Sequence, residues 1–347
     1  EEITSRNLRA LASVDDTPDA PAVVVFNAAS QTRTDHVSSR IPIPEDVETV
    51  VLESEDGKPI TPQLSDRQRD VVYQFSGDAG QIRGMIGYLS GGTTNGDHIH
   101  EINVTLDEET LNLEVKLGMG EPPDPDAVEA GHAQLMDMIG DPGLETVDVI
   151  VHRGETIACS FVAEDVPGFG YRSYAVRVSE EQVPGTDTRS SEAQAIENAY
   201  LRVEAAEDGT FTLVDKETGV RYEGLHRLVD VGDRGDEYNF CPVEEDVTVD
   251  APSGAPEVRL VETGSARQTL EISAVYQVPV GLGETRHQRS SETNAMPITT
   301  RVSLTAGVPR VEIETTVTND ASDHRLRVHF PVPVQVDAFE AEGHMDV

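Results

Sequence analysis

The stretch Leu111–Leu117 (LNLEVKL) alternates strictly between apolar and polar side chains. Since successive side chains of a β-strand point to opposite faces, this pattern predicts a strand with one buried face and one solvated face. Short β-rich runs bounded by turn residues lie on both sides of it, at 23–26, 49–52, 71–75, 102–106, 147–151, 156–162 and 171–178. The first half of the chain is therefore predicted to be mainly β.

A second series of β-rich runs follows the polar spacer Ser179–Ser191. Its members are residues 198–204, 210–215, 266–280, 298–305, 310–318 and 325–330. Many strands, few helices and turn residues between them are typical of large antiparallel sheets packed as a β-sandwich. We therefore predict a mainly β fold with a large antiparallel β-sandwich, preceded by a smaller β domain and a short helical N-terminus.

Helical patterning is rare in this sequence. The N-terminal residues up to about Ser13 are interpreted as the end of a helix, and the best internal candidate is Asp126–Ile139, preceded by Pro125. Its predicted apolar stripe consists of Val128, Leu135, Met136 and Ile139. This helix lies within Glu121–Asp148, which has eight acidic residues and no Lys or Arg, and which we interpret as a solvated surface insertion.

The charge of the chain is strongly negative. Its 347 residues include 64 Asp and Glu against 26 Lys and Arg, a formal net charge of −38, and only Lys58, Lys116 and Lys216 are lysines. Such a field repels phosphate backbones, and no apolar run reaches the about 18–20 residues of a membrane span, so nucleic acid and membrane are excluded as partners.

Excess acid with scarce lysine is typical of proteins that work in concentrated salt, where a Debye length of about 3 Å at 1 M screens self-repulsion. We predict a halophilic, cytoplasmic protein of a salt-adapted microorganism, with an ordinary acidic protein as the alternative. The N-terminus does not have the basic and apolar regions of a secretory signal. The two cysteines, Cys159 and Cys241, do not suggest a disulfide framework.

Several stretches form a recognisable series in chain order. They are Val23–Asn27 with Arg33-Thr34, Ala163–Tyr174, Glu197–Val203 with Gly209–Phe211 and Asp215–Gly219, Asp233–Phe240, Leu304–Val311, and Asn319-Asp320 with Asp323–Pro331. Together they resemble the β-region of glycoside hydrolase family 38 α-mannosidases. Residues 76–150 fit the family pattern less well, and Gly168-Phe169 stand where the family has Pro-Leu.

This resemblance implies a domain organisation. Residues 1–20 are expected to be the end of a helical region and a linker, and residues 21–180 a smaller β-sandwich with an acidic insertion at about 76–150. Residues 190–347 are expected to form a large, galactose-mutarotase-like super-sandwich, incomplete at its C-terminus. We therefore expect a fragment or one of two split polypeptides.

The resemblance also implies a function: the C-terminal part of a retaining α-mannosidase that hydrolyses terminal α-mannosides. The family's catalytic zinc and its aspartate nucleophile belong to an N-terminal catalytic domain, so the zinc ligands are expected outside this chain. The implied partners are that missing domain and a mannose-containing glycan, and association into a homo-oligomer stays open. The alternative from another class is a non-catalytic carbohydrate-binding or structural β-sandwich module.

The loop from Arg234 to Phe240 is the candidate substrate site. Its acids Asp236 and Glu237 directly precede Tyr238, and all three lie between Gly235 and a following proline, as in a shaped loop. By resemblance the loop reaches towards the sugar, and Tyr238, Asp236, Glu237 and Arg234 are the candidate substrate-binding residues. A phenol can donate to a sugar hydroxyl while its ring packs on the pyranose. The alternative is a simple turn around a core tyrosine.

Two other clusters are candidates for a metal site and for an acid–base site. His98 and His100 would share one face of a strand, a spacing that can ligate zinc, but a third ligand is not identifiable and histidines without metal are favoured. Asp323-His324-Arg325 suggests acid–base chemistry, but it opens an alternating strand and is interpreted as a structural ion pair. We predict neither a metal site nor a confident catalytic residue in this chain.

Overall fold

The computed structural model describes residues 21–44, 47–78, 93–94, 97–107, 110–118, 125–141, 143–179, 194–236, 238–334 and 338. In this part of the chain it has twenty strands and one helix, which confirms the prediction of a mainly β protein. The helix predicted to end near Ser13 lies outside the described residues. None of the helical structure described here is long and apolar enough to cross a membrane.

The chain divides into two compact units. The first holds the described residues of Val37–Phe161 together with those within Glu1–Thr32 and Val166–Gly185. The second holds the described residues of Thr186–Val347 together with the short segments Arg33–His36 and Val162–Asp165.

The N-terminal half of the chain forms two sheets. Its elements are β1 (Ala22–Asn27), β2 (Arg33–Ile43), β3 (Thr49–Ser54), β4 (Pro59–Ile60), β5 (Gln63–Asp78), β6 (Thr93–Thr94), β7 (Asp97–Asp107), β8 (Thr110–Leu117), α1 (Pro125–Met138), β9 (Thr146–Val166) and β10 (Gly170–Ser179). One sheet has the order β1-β10-β3-β4, and the other has the order β2-β9-β8-β7-β6, with β5 also paired to β9.

Strands β8 and β9 run parallel, and α1 lies in the connection between them. A parallel pair needs a crossover connection, and a helix commonly provides it. The other strand pairs in the described part of the chain are antiparallel. The described sheets are therefore antiparallel, as expected, except at this one pair, which the sequence did not predict.

The alternation in β8 places its apolar face in the core of the first unit, as predicted. Leu111, Leu113, Val115 and Leu117 are all buried. Helix α1 packs against the same core through buried Leu135. Its bounds match the predicted helix closely, because Pro125 opens it where the pattern places its start.

The acidic segment is more than a solvated insertion, which corrects our interpretation of it. Ile139, directly after α1, is buried in the same core as Leu135. A Cβ added at Gly131 would lie 2.0 Å from the carbonyl oxygen of Ile102, so helix and strand approach too closely for any other residue. Met136 is wrong as a stripe residue, since it is 52% exposed.

Two runs that the sequence separates, 147–151 and 156–162, belong to the single strand β9. Gly154 lies between them with a φ of +88°, a conformation that suits glycine. Its backbone N–H donates to Nδ1 of buried His152 at 2.9 Å, so the irregularity stays hydrogen-bonded within the strand. The apparent turn signal is therefore a local irregularity in a continuous strand.

The second unit contains two four-stranded antiparallel sheets and a two-stranded one. Its elements are β11 (Ala195–Glu197), β12 (Leu201–Ala205), β13 (Phe211–Asp215), β14 (Arg221–Leu225), β15 (Arg227–Gly232), β16 (Glu257–Thr263), β17 (Arg267–Pro279), β18 (Thr293–Thr305), β19 (Val311–Val317) and β20 (His324–His329). The orders are β11-β12-β13-β14, β16-β17-β18-β19 and β15-β20.

One apolar core is shared by the two four-stranded sheets. Val203 and Phe211 contribute from the first sheet, and Leu270, Val302 and Leu304 contribute from the second. Because these residues alternate with polar ones along each strand, the opposite face of each sheet is polar. The β15-β20 pair packs against a second cluster through buried Leu228.

Candidate functional site

The predicted loop Arg234–Phe240, taken together with the residue on each side of it as Asp233–Cys241, follows β15 directly. It starts beside the first residue of β20. Gly232 faces His324 in the register of these two strands, and the Asp233 N–H donates to the carbonyl of Asp323 at 2.9 Å. The Arg234 N–H donates to the carbonyl of Cys241 at 2.9 Å, which closes the loop. The two-stranded sheet therefore provides the base on which the loop stands.

A carboxylate and a glycine shape the stem of this loop. Oδ1 of Asp233 accepts hydrogen bonds from the backbone N–H groups of Gly235 (2.8 Å) and Cys241 (3.0 Å). A Cβ at Gly235 would lie 1.8 Å from the carbonyl oxygen of Asn239, so the two sides of the loop cross where only glycine fits. The close approach of the two sides of the loop thus explains why a glycine is at position 235.

Asp236 organises the tip of the loop. Its Oδ1 accepts from the backbone N–H groups of Tyr238 at 3.0 Å and Asn239 at 2.8 Å. These donors, that of Tyr238 first, hold the pKa of the Asp236 carboxyl below its ordinary value. Oδ1 of Asp236 is therefore committed to shaping the loop.

Tyr238 is presented to solvent at the tip. Its side chain is 85% exposed, so the alternative of a turn around a core tyrosine is wrong. Two residues on, the ring of Phe240 lies 4.6 Å from the guanidinium carbon of Arg325 on β20, a cation–π contact that anchors the returning side of the loop. An exposed phenol on an anchored loop can both donate a hydrogen bond and pack on an apolar surface.

Arg234 lies in the stem. Its Nε donates to Sγ of Cys241 at 3.2 Å, and its Nη1 pairs with Oε1 of Glu244 at 3.1 Å. The structure thus brings together three of the four predicted site residues, with Tyr238 at the tip and Asp236 and Arg234 supporting the loop. The fourth, Glu237, lies outside the described residues.

A buried ionic cluster lies next to the loop, and sequence reasoning missed it. Oδ1 of Asp230 accepts from Nη2 of Arg289 at 2.5 Å, and its Oδ2 contacts Nδ1 of His324 at 2.5 Å. The side chains of Asp230 and Arg289 are 1% and 0% exposed. His324 also contacts Oδ1 of Asn319 at 3.1 Å through Nε2. The cluster ties β15, β20 and the segment before β18 together beside the loop.

The loop stem packs on this cluster through Gly232. A Cβ there would lie 2.6 Å from Cγ2 of Val243 and 3.0 Å from Cγ of Arg289. The Gly232 N–H donates to both carboxylate oxygens of Asp246, at 3.0 and 3.2 Å. Nothing in the sequence spacing of Asp230 and Arg289 indicates their pairing, because the partners are 59 positions apart.

The three residues of the Asp323-His324-Arg325 cluster have three different partners. Asp323 pairs with Arg286 at 3.3 Å, His324 with Asp230, and Arg325 with the ring of Phe240. This confirms the interpretation of a structural ion pair, with a partner other than the neighbouring arginine.

The described residues do not fit a zinc site. Among them, we find no group of three or more His, Cys, Asp or Glu side chains that could hold a metal ion. His98 and His100 both lie in β7, with the first exposed and the second half-buried. No chemical step is therefore assigned to a metal held by this part of the chain.

The two thiols provide a probe of the loop. Cys159 is fully buried, and burial raises the pKa of its thiol to about 11, whereas Cys241 in the loop stem is partly accessible. Because the thiolate is the reacting form, we expect one thiol per chain to react with an aromatic disulfide reagent at pH 8 and the second only after unfolding. Cys241→Ser should abolish the fast phase and Cys159→Ala should retain it; two equally fast thiols would contradict this burial pattern.

Comparisons with known proteins bear on the second unit and on the whole fold. Residues 196–347 match the family model of the glycosyl hydrolases family 38 C-terminal domain. A protein of Halalkalibacterium halodurans named as a mannosylglycerate hydrolase is 28% identical over 151 residues, which cover 40% of this chain and 17% of that protein.

Two solved structures share the fold. An α-mannosidase from Enterococcus faecalis superposes with a TM-score of 0.61 at 19% identity, covering 95% of this chain and 34% of that one. A glycosyl hydrolase family 38 protein from the same organism gives a TM-score of 0.58 at 18% identity, covering 96% and 36%. The chain thus spans about a third of these structures and less than a fifth of the curated relative.

The solved structures show that the chain shares the fold of the corresponding β-rich part of these proteins. The family-model match, supported by the curated relative, identifies residues 196–347 as similar to the C-terminal domain of glycosyl hydrolase family 38.

Proposed function

We propose that this chain is the C-terminal part of a retaining α-mannosidase that hydrolyses terminal α-mannosides. In this proposal the chain scaffolds a catalytic domain and supplies the Asp233–Cys241 loop to the sugar site. The observation that carries it is the 85% exposed Tyr238 at the tip of a loop held by Asp233, Asp236 and the contact of Phe240 with Arg325. A side chain so exposed contributes little to the core, while the loop is built to hold it in place.

In this proposal each of the four loop residues has its own role. The Tyr238 hydroxyl donates to a mannose hydroxyl, and its ring packs on the sugar. The carboxylates of Asp236 and Glu237 accept from neighbouring sugar hydroxyls. Arg234 acts by holding the stem through Cys241 and Glu244. The catalytic zinc and the nucleophile belong to the partner domain, so this chain orients the substrate.

The proposal also covers the fold of the chain and the kind of organism and compartment in which it works. The two four-stranded sheets of the second unit, which share one core, are the basis of the large galactose-mutarotase-like sandwich, with a smaller β domain before it. The net charge of −38 supports a protein of a salt-adapted microorganism, and we place it in the cytoplasm as part of the same proposal. The hydrolase relatives favour this enzyme region over a non-catalytic module.

The test is hydrolysis of an aryl α-mannoside in concentrated KCl. We expect no turnover by residues 1–347 alone, with or without zinc. Residues that only orient a substrate do not hydrolyse it, because the metal and the nucleophile carry out the chemical step. In the polypeptide that includes the catalytic domain, Tyr238→Phe should lower kcat/KM by about 10²-fold, as the loss of one oriented donor does. The matched control is Tyr200→Phe, a 41% exposed tyrosine in another turn of the second unit, which should leave kcat/KM unchanged.

Either of two results would refute the proposal. One is turnover by the purified chain alone that Tyr238→Phe or Asp236→Asn abolishes, which would place a complete site in these residues. The other is full activity of the Tyr238→Phe and Tyr238→Ala enzymes, which would remove the loop from the sugar site.

A further inference from the structure

A row of alternating charges crosses the polar face of the β16-β19 sheet. Arg259, Glu271, Arg301 and Glu314 stand opposite one another on β16, β17, β18 and β19. They lie on the face opposite the apolar core, since their neighbours along the strands, such as Leu270 and Val302, are buried in that core. Side chains at opposite positions of paired strands are close enough to interact, so the row forms one surface.

Glu271 is the buried centre of this row. Its side chain is only 7% exposed, and it accepts from Nη2 of Arg259 at 2.5 Å and from Nε of Arg301 at 3.0 Å. Burial by itself would raise the pKa of the Glu271 carboxyl, but the two arginines outweigh it and hold that pKa below its ordinary value. The carboxylate therefore stays charged and fixes two guanidinium groups in place.

Much of the hydrogen-bonding capacity of the row remains unused. Arg301 bonds Glu271 through Nε, its Nη groups make no hydrogen bond within the described residues, and its side chain is 53% exposed. In the same part of the chain, exposed Glu314 makes no hydrogen bond or ion pair. Fixed donors and a free acceptor thus face solvent side by side.

These groups line a cavity of about 300 Å³. Its other lining residues are Ser273, Thr299 and Thr316, which add three hydroxyl groups. They form the neighbouring row of the sheet, with Thr299 opposite both Ser273 and Thr316. A volume of about 300 Å³ is at the lower end of small-molecule sites. It is large enough for one or two pyranose rings.

We propose that this cavity is a binding site for a neutral carbohydrate of one or two sugar units. Each sugar hydroxyl both donates and accepts, which matches alternating guanidinium, carboxylate and hydroxyl groups. Two arginines balance two glutamates, so the lining carries no net charge that would select an anion. The guanidinium groups are held before binding, which reduces the ordering cost of association.

The site is independent of the Asp233–Cys241 loop and of the function proposed for it. All seven lining residues belong to the sheet β16-β17-β18-β19 of the second unit. With no aromatic residue among them to stack on a sugar, hydrogen bonds alone should give roughly millimolar affinity.

The experiment is a ligand-observed NMR titration of the full chain in concentrated KCl with methyl α-mannoside, α-mannobiose and inorganic phosphate. We expect both sugars to bind with a dissociation constant of about 1 mM to 10 mM and phosphate not to bind. Arg301→Gln and Glu314→Gln should each weaken sugar binding by about tenfold or more. Glu314→Gln removes an unpaired exposed charge, so it tests the site even if Arg301→Gln disturbs the sheet.

Two control variants separate this site from other effects. Arg221→Gln removes an exposed arginine from β14, where it pairs with Glu204 and Glu223 at 3.5 Å, and it should leave binding unchanged. Tyr200→Phe, at a 41% exposed tyrosine outside both the cavity and the Asp233–Cys241 loop, should also leave binding unchanged. Because the loop contributes no residue to the cavity lining, a failure of the loop proposal would not imply a failure here. Any of three results would overturn the proposal. They are no sugar binding up to roughly 50 mM, sugar binding that neither Arg301→Gln nor Glu314→Gln weakens, and preferential binding of phosphate.

Discussion

Replacing Asp230 with alanine is expected to lower the free energy of unfolding of the second unit by about 3–5 kcal/mol. The substitution leaves Arg289, whose side chain is 0% exposed, without the carboxylate that accepts from its Nη2. Within the described residues, Nε of Arg289 already makes no hydrogen bond, and only its bond from Nη1 to the carbonyl of Val247 at 2.8 Å would remain. An uncompensated charge in a buried site is costly because neither water nor a partner replaces the lost interaction.

Thiol labelling and circular dichroism together measure this cost for each unit. Cys159 is buried in the first unit, so in a Cys241→Ser background the urea dependence of its labelling follows the unfolding of that unit, while the circular dichroism signal follows both units. We expect Asp230→Ala to shift part of the circular dichroism transition to lower urea and to leave the Cys159 labelling transition in place.

The matched control is Asp250→Ala. Asp250 also pairs with an arginine, Arg227, but both side chains are exposed, at 44% and 51%. Exposed pairs contribute about 0–1 kcal/mol, so this variant should unfold close to the unaltered protein. Equal stabilities of Asp230→Ala and Asp250→Ala would show that the Asp230 cluster does not support the second unit.

The second large effect is the dependence of stability on salt. We expect the melting temperature to rise by about 10 °C or more between 0.1 M and 3 M KCl, since 1 kcal/mol corresponds to about 2–4 °C in domains of 150–250 residues. Acidic residues outnumber basic ones by 64 to 26, so unpaired carboxylates dominate the surface field and repel one another. At molar salt the Debye length of about 3 Å screens this repulsion, while short buried pairs such as Asp230 with Arg289 are screened much less.

Calorimetric scans in KCl, in NaCl and in sucrose of equal osmolality test this expectation. Both chlorides should raise the melting temperature strongly, and sucrose should raise it much less, because only ions screen charge. Melting temperatures that are equal at low and high KCl would rule out the salt-adapted interpretation and favour an ordinary acidic protein.

Local patterns predicted the elements of this fold well. The alternation in Leu111–Leu117 predicted both the strand and its buried face, and the combination of Pro125 with an apolar stripe predicted α1. These signals are local, because the side-chain periods of 2 and 3.6 residues follow from backbone geometry. A glycine can mark either a turn or an irregularity within a strand, and local sequence does not distinguish the two. The sequence therefore separated two runs at Gly154 that belong to the single strand β9.

The sequence by itself determined the mainly β class, the strong negative charge and the position of the candidate loop, all of which depend on composition or on neighbouring residues. Only the tertiary structure decided that β8 and β9 run parallel, that Asp230 meets Arg289, and that Arg259, Glu271, Arg301 and Glu314 form one row. Those arrangements depend on strand order and register between segments far apart in the chain. Any of the 64 acids could pair with any arginine until the sheets bring particular ones together.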